Sequence, residues 1–160
     1  MNSILRRRRG MMGVKKEIPP TKLTEGSYTR GTSIWSVDST GKVIIDTYSM
    51  GSANGPIMPV DTPFEIKIGD EIVLYLLRKS GSPGWHGTDV KLRSAITNIL
   101  TMGENLTWNW SNNSCSVTKV SDVNGTVASI YMYNRGNTVA SSANYSFALK
   151  ITVNGKVVLE

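Results

Sequence analysis

Hydrophobic and polar residues alternate along most of the chain after residue 27, as in β-strands that bury one face. In residues 64–68, for example, Phe64, Ile66 and Ile68 share one face, and Glu65 and Lys67 lie on the other. Similar patterns predict strands at 33–37, 42–48, 72–77, 106–110, 117–120, 126–133, 145–153 and 156–159. About ten short strands with frequent turn residues predict an all-β fold, either a β-sandwich or a jelly roll.

One turn has a specific prediction. Asn154 and Gly155 separate the last two predicted strands, and this dipeptide is the strongest short hairpin signal. Both residues tolerate positive φ, which a two-residue hairpin turn requires. The sequence therefore predicts that the chain ends in a tight β-hairpin.

Residues 89–102 fit two patterns. Their apolar residues recur at helical spacing, with Asp89 as an N-cap and Gly103 as a stop. Their β-branched residues favour a strand instead. Strands and one short helix both remain open for this stretch.

Two stretches are predicted to be long loops. Residues 49–63 contain three prolines and two glycines, and loops of this length are usually functional or lie on a partner. Residues 80–88 are rich in Gly, Ser and Pro, and they contain Trp85 and the only histidine, His86.

The positive charge is confined to the beginning of the chain. The net charge of +6 comes from 18 basic and 12 acidic residues, and six of the basic residues precede the first acid, Glu17. The rest of the chain is neutral, which excludes a nucleic-acid-binding role for the body as a whole. Pro19 and Pro20 favour an extended chain. We therefore predict a basic extended arm at 1–26 and a β-sandwich domain at 27–160.

Composition excludes several classes of protein. The single cysteine, Cys115, cannot form an internal disulfide, and we expect it to be a small buried residue. No apolar run approaches the ~18 residues that span a membrane, so we predict no membrane span. The five residues between Arg9 and Lys15 are too few for the apolar core of an export signal.

The sequence offers little for catalysis. A Ser or Cys nucleophile needs a histidine base with an orienting carboxylate, and only His86 is available. His86 and Asp89 are too few ligands for a metal site. We find no phosphate-binding glycine loop. We therefore expect a protein that is not an enzyme and that has no catalytic residues, no metal and no cofactor.

Aromatic residues suggest carbohydrate binding as an alternative. The tryptophans, and Tyr131 with Tyr133, could stack on sugar rings. Trp108 and Trp110 alternate with polar residues in phase with Leu106, so we expect them in the core. Trp85, in a loop beside His86, is the better candidate, and these two residues form the possible glycan-binding site.

The arm allows three interpretations: a disordered tail, a weak nucleic-acid-binding segment, or an assembly arm that docks on a neighbouring subunit. Apolar residues interleave with its charges, and a tail that served only for solubility would not need them. This favours the assembly arm. The residues predicted to bind the partner are Ile4, Leu5, Arg6, Arg7, Arg8, Arg9, Met11, Met12, Lys15 and Lys16.

The opening Ile4-Leu5-Arg6-Arg7-Arg8-Arg9-Gly10-Met11-Met12-Gly13, followed by Lys15-Lys16, resembles the start of structural proteins of tailed bacteriophages of gut bacteria, including crAss-like phages. The resemblance covers about 16 residues of low complexity. The body resembles immunoglobulin-like and jelly-roll sandwiches in general. The phage resemblance implies a virion component, such as a capsid decoration protein, head fibre or tail protein, assembled in the host cytoplasm.

These observations together predict a non-enzymatic virion structural protein anchored by its arm. Its expected partners are other virion proteins and copies of itself, as a homo-oligomer. Nucleic acid would bind only through the arm. The alternative is a carbohydrate-binding β-sandwich module that uses exposed aromatic residues.

Overall fold

The computed structural model describes residues 18–31, 33–47, 55–80, 87–106, 114–135 and 145–160. Within these ranges the chain forms eleven β-strands and no helix, which confirms the predicted all-β class. The strands are β1 (Gly26–Arg30), β2 (Ser33–Val37), β3 (Val43–Thr47), β4 (Ile57–Ile66), β5 (Glu71–Ser80), β6 (Gly87–Arg93), β7 (Asn98–Leu106), β8 (Ser114–Val120), β9 (Gly125–Arg135), β10 (Tyr145–Val153) and β11 (Lys156–Leu159).

The strands form two antiparallel sheets. The larger has the order β1-β2-β3-β10-β5-β8, and the smaller has the order β4-β9-β6-β7. Strand β10 lies at the centre of the larger sheet. One of its edges pairs with β5, and the other is shared by β3, at Tyr145 to Phe147, and β11, at Ile151 to Val153. The arrangement is a β-sandwich.

Apolar side chains from both sheets form one core. Trp35 and Phe147 are fully buried in the larger sheet and meet edge to face, with their ring centroids 5.8 Å apart. Ile130 and Met132 of β9 belong to the same core from the smaller sheet. Burying each such side chain contributes ~1.5–3 kcal/mol, and this burial holds the two sheets together.

The helix considered for residues 89–102 is wrong. The stretch is divided between β6 and β7, which are joined by a turn in which Ser94 N–H donates to the Thr97 carbonyl at 2.8 Å. Val90 and Leu92 on β6, and Leu100 and Met102 on β7, are buried at every second residue. Burial at every second residue is the pattern of a strand, which the β-branched residues of this stretch also favour.

The long loop predicted at 49–63 is also wrong in its second half, because β4 begins at Ile57. Pro59 and Pro63 lie inside this strand. Strand β4 is an edge strand of the smaller sheet, and its register against β9 shifts between Pro59 and Phe64. An edge strand with a bulge tolerates residues that cannot donate a backbone hydrogen bond. Residues 48–54 lie outside the described residues.

Residues 18–25 form a seam between the two sheets. The N–H of Thr21 donates to Val158 O at 2.9 Å, and its carbonyl accepts from Glu160 N–H at 3.0 Å. On the other side, the N–H of Thr24 donates to Pro59 O on β4 at 2.8 Å. Leu23 is only 1% exposed and belongs to the core. The folded body therefore begins before residue 27, where we predicted its start.

The sandwich has two unlike ends. We call the lower end the one formed by the turns at 67–70, 94–97, 121–124 and 154–155. At the opposite, upper end, the described parts of β3, β5, β7 and β9 stop at Thr47, Ser80, Leu106 and Arg135. From each of these strands the chain passes to a strand of the other sheet. All or part of each connection lies outside the described residues.

The predicted terminal hairpin is confirmed. Asn154 and Gly155 have φ values of 50° and 80°, as its two-residue turn requires. The Asn154 side chain adds two bonds: its Oδ1 accepts from Glu71 N–H and its Nδ2 donates to Asp70 Oδ1, both at 2.9 Å. This asparagine therefore joins the hairpin to the start of β5.

Candidate functional site

Several large apolar side chains of the described residues are exposed at the lower end. Among the described residues, five large hydrophobic side chains are exposed, and Ile34 on β2, at 37%, is the least so. The other four are between 59% and 86% exposed and belong to the lower end: Ile18, Ile68, Ile96 and Val120.

The turns that carry these side chains are held by hydrogen bonds. Ile68 N–H donates to Asn124 Oδ1 at 2.9 Å, and Ser121 N–H donates to the Asp70 carbonyl at 2.8 Å. The hydrogen bond from the Asn154 side chain, and then that from Lys67 N–H, lower the pKa of Asp70. Its carboxylate is therefore charged at neutral pH. Hydrogen bonds between these turns therefore hold the backbone that carries the exposed apolar side chains of Ile68 and Val120.

A groove of about 360 Å³ opens at the side of the lower end. Three segments that are distant in sequence line it: residues 18–21, residues 62–65 of β4, and residues 156–158 of β11. We call it the seam groove. Its exposed rim includes Ile18 and Pro63, and Phe64 lies half-buried beside them. The surface is mainly apolar and suits an extended apolar segment.

The surroundings of the seam groove carry more acid than base. Glu65 and Lys156 line the groove itself, and Asp61, Glu160 and Lys22 line the adjoining cleft. The ammonium of Lys22 is directed away, to the carbonyl of Ser39 at 2.6 Å. The region thus offers three carboxylates against two amines, which attracts a basic segment.

The ten predicted arm residues, from Ile4 to Lys16, lie outside the described residues. The structure does establish where the segment that contains them joins the body. Ile18 lines the seam groove, and Thr21 pairs with Leu159 of β11, so residues 1–17 connect to the body at the lower end. The segment that carries the chain's excess positive charge is therefore attached at the lower end.

The aromatic residues of the carbohydrate hypothesis fall into two groups. Trp35 is 1% exposed, and Tyr131 and Tyr133 are each 5% exposed, with their rings 5.2 Å apart. These three residues are too buried to stack on a sugar. Trp85 and His86, like Trp108 and Trp110, lie outside the described residues. The glycan-binding alternative stays a prediction about Trp85 and His86.

Cations surround the two tyrosines. The Arg30 guanidinium lies 4.8 Å from the centre of the Tyr131 ring, and the Lys91 amine lies 5.9 Å from that of Tyr133. Burial raises the pKa of Tyr131, although the charges of Arg30 and Arg93 lower it. Arg30 links β1 of the larger sheet to β9 of the smaller one. The arrangement closes the side of the sandwich near its upper end.

The thiol of Cys115 is only partly accessible. Cys115 is half-buried against the core, and burial raises the pKa of its thiol, so the thiolate is scarce at neutral pH.

Within the described ranges, no group of three or more His, Cys, Asp and Glu side chains is placed to hold a metal ion. The same part of the chain contains no helix long and apolar enough to cross a membrane.

Sequence reasoning missed the seam groove. Its three lining segments are separated by about forty and ninety residues, and only the pairing of strands brings them together. The prolines at 59 and 63 were interpreted as loop residues, although they lie on the strand that forms one wall. No protein-family model and no curated protein matches this chain.

Proposed function

We propose that this protein is a non-enzymatic structural component of a tailed-bacteriophage virion, held in its assembly by residues 1–17. One observation carries the proposal: the basic segment joins a neutral sandwich at its lower end, beside the seam groove and at the end that holds four of the five exposed large apolar side chains among the described residues. Such a set of binding features at one end suits a protein that is attached by that end.

The connection between the segment and the body supports this role. Residues 21–24 hydrogen-bond to β11 of one sheet and to β4 of the other, so the segment is fastened to the whole sandwich. An attachment at the lower end would direct the upper end outwards. Such an organisation of anchor and exposed body would suit a capsid decoration protein, a head fibre or a tail protein. The virion is then its location, after assembly in the host cytoplasm.

The test is a deletion of residues 2–16 in a phage that encodes this protein. This deletion keeps Ile18 and the whole seam, so the body should remain folded. We expect the truncated protein to be absent from purified particles, because it lacks the anchoring residues. Circular dichroism and urea unfolding of the purified variant check the fold. Incorporation of the truncated protein at full occupancy contradicts the proposal.

Two full-length variants separate charge from apolar contact. In one, the four arginines at 6–9 are replaced by glutamine. In the other, Ile4, Leu5, Met11 and Met12 are replaced by serine. An anchor that uses both kinds of contact loses occupancy in both variants. Loss in the glutamine variant alone would mean that the segment acts by charge only, as it would on packaged nucleic acid.

A further inference from the structure

We propose that the seam groove of one copy receives residues 4–14 from the N-terminal segment of a second copy of this chain. This proposal rests on the proposed function in one respect, since both assign binding to the same N-terminal segment. It adds the partner that the segment binds. Exchange of arms between identical subunits would build a homo-oligomer through the lower ends. Three observations support this occupant.

The first observation is the direction of the chain at the groove. Pro19 restricts the residue before it, Ile18, to extended conformations, and Pro20 does the same to Pro19. Ile18 and Pro19 are therefore poorly suited to a sharp reversal. A return of residues 4–14 to the groove of the same copy would have to reverse within residues 15–17. Docking on another copy requires no such turn.

The second observation is reach. Fourteen residues separate Ile4 from Ile18, and an extended chain of that length spans about 46–50 Å. A single domain of 160 residues has a radius of gyration of about 15 Å. The segment is therefore long enough to cross to the corresponding groove of a neighbouring subunit.

The third observation is chemical complementarity. The groove presents apolar surface at Ile18, Pro63 and Phe64, and the segment supplies Ile4, Leu5, Met11, Met12 and Val14. Asp61, Glu65 and Glu160 stand in and beside the groove, where they would meet the arginines at 6–9. Every copy carries both the groove and the segment that fits it, so two copies can bind each other reciprocally.

Cross-linking between two single-cysteine variants distinguishes exchange from folding back. Both variants are full-length and carry Cys115→Ser; one adds Met12→Cys, and the other adds Thr62→Cys on the exposed rim of the groove. We expect a bis-maleimide to give a covalent dimer only when the two variants are mixed. Thr118→Cys replaces Thr62→Cys in the control, since Thr118 is an exposed threonine on β8 that does not line the groove. A mixture that cross-links no better than this control overturns the proposal.

The double variant, with Met12→Cys and Thr62→Cys in one chain, tests the opposite geometry. An internally cross-linked monomer at high dilution, without dimer in the mixture, means that the segment folds back on its own groove and overturns the proposal. Dimers from the mixture support exchange.

Sedimentation velocity of the unlabelled protein supplies an independent measurement. We expect full-length protein to self-associate, and Thr62→Arg to weaken association about tenfold or more, because the arginine fills the rim and repels the incoming arginines. Thr118→Arg, the matched control, should associate as the original protein does. Monomeric full-length protein at all concentrations overturns arm exchange. If Δ2–16 is nevertheless excluded from particles, the proposed function stands without it.

Discussion

At the scale of single residues, the turn between β2 and β3 depends on one carboxylate. Asp38 Oδ1 accepts hydrogen bonds from the Thr40 hydroxyl at 2.6 Å, from Thr40 N–H at 2.9 Å and from Lys42 N–H at 3.0 Å. These bonds, that of the Thr40 hydroxyl above all, lower the pKa of Asp38. The Lys42 amine, 3.9 Å from Oδ2, contributes less. The turn is therefore stabilised by the ionised form of Asp38.

We expect Asp38→Ala to lower the free energy of unfolding by about 1 kcal/mol at pH 7, since the turn loses its hydrogen-bond acceptor. The folded pKa lies below the unfolded one, so this stabilisation is present above the ordinary aspartate range and is lost as the pH falls through the lowered folded pKa. Asp38→Asn keeps an acceptor and should reduce the pH dependence below about pH 4. Urea unfolding across this range measures both effects.

The control for this prediction is Asp122→Ala, which removes an exposed aspartate of the turn between β8 and β9. It should change stability by less than about 0.5 kcal/mol. If Asp38→Ala and Asp122→Ala have equal effects at pH 7, the hydrogen bonds of Asp38 do not stabilise the turn.

At the scale of elements, the alternation of apolar and polar residues was sufficient to predict a strand that buries one face and contains no proline. This holds for β2, β3, β5 and β10, whose predicted ranges overlap the observed strands. Only the end of β4, at 64–66, was predicted, because Pro59 and Pro63 occur earlier in the strand, where its position at a sheet edge makes them tolerable. Leu23 was assigned to the arm because no periodic pattern surrounds it. Its burial depends on β4 and β11, which are distant in sequence.

The seam predicts that Leu23 is part of the cooperative fold. Leu23→Ala should lower the free energy of unfolding by about 2–5 kcal/mol, because the removed atoms leave a cavity between the two sheets. Ile18→Ala is the matched control, since Ile18 is 74% exposed and should cost less than about 0.5 kcal/mol in the monomer. Chemical denaturation at low protein concentration measures both. Equal effects of the two substitutions would contradict a structural role for the seam.

At the scale of the whole molecule, charge and fold are separated along the chain. Residues 2–16 carry six positive charges and no acid, and the remaining 12 basic residues balance the 12 acidic ones. The high sequence pI of 9.6 therefore describes the N-terminal segment and not the surface of the sandwich. A charge-dependent property of this protein should depend on that segment alone.

We expect full-length protein to be retained on a cation exchanger at pH 7 and the Δ2–16 variant to pass through, because the deletion brings the formal charge from +6 to zero. Any binding to DNA should likewise disappear in Δ2–16 and should weaken steeply with added salt. Electrophoretic mobility shifts at two salt concentrations measure this second effect. Retention of Δ2–16 on the exchanger, or its binding to DNA, would show that the body itself has a basic surface.

The seam also determines how the molecule responds to mechanical force. Residues 21–24 lie along β11 and β4, and their hydrogen bonds run across the chain direction to both neighbours. A pull on residue 18 along the strand axis, away from the lower end, loads these bonds in shear and therefore all together. A pull at right angles to the sheet edge would instead open them one after another. The geometry gives a tethered molecule its greatest resistance when the tension runs along its long strands.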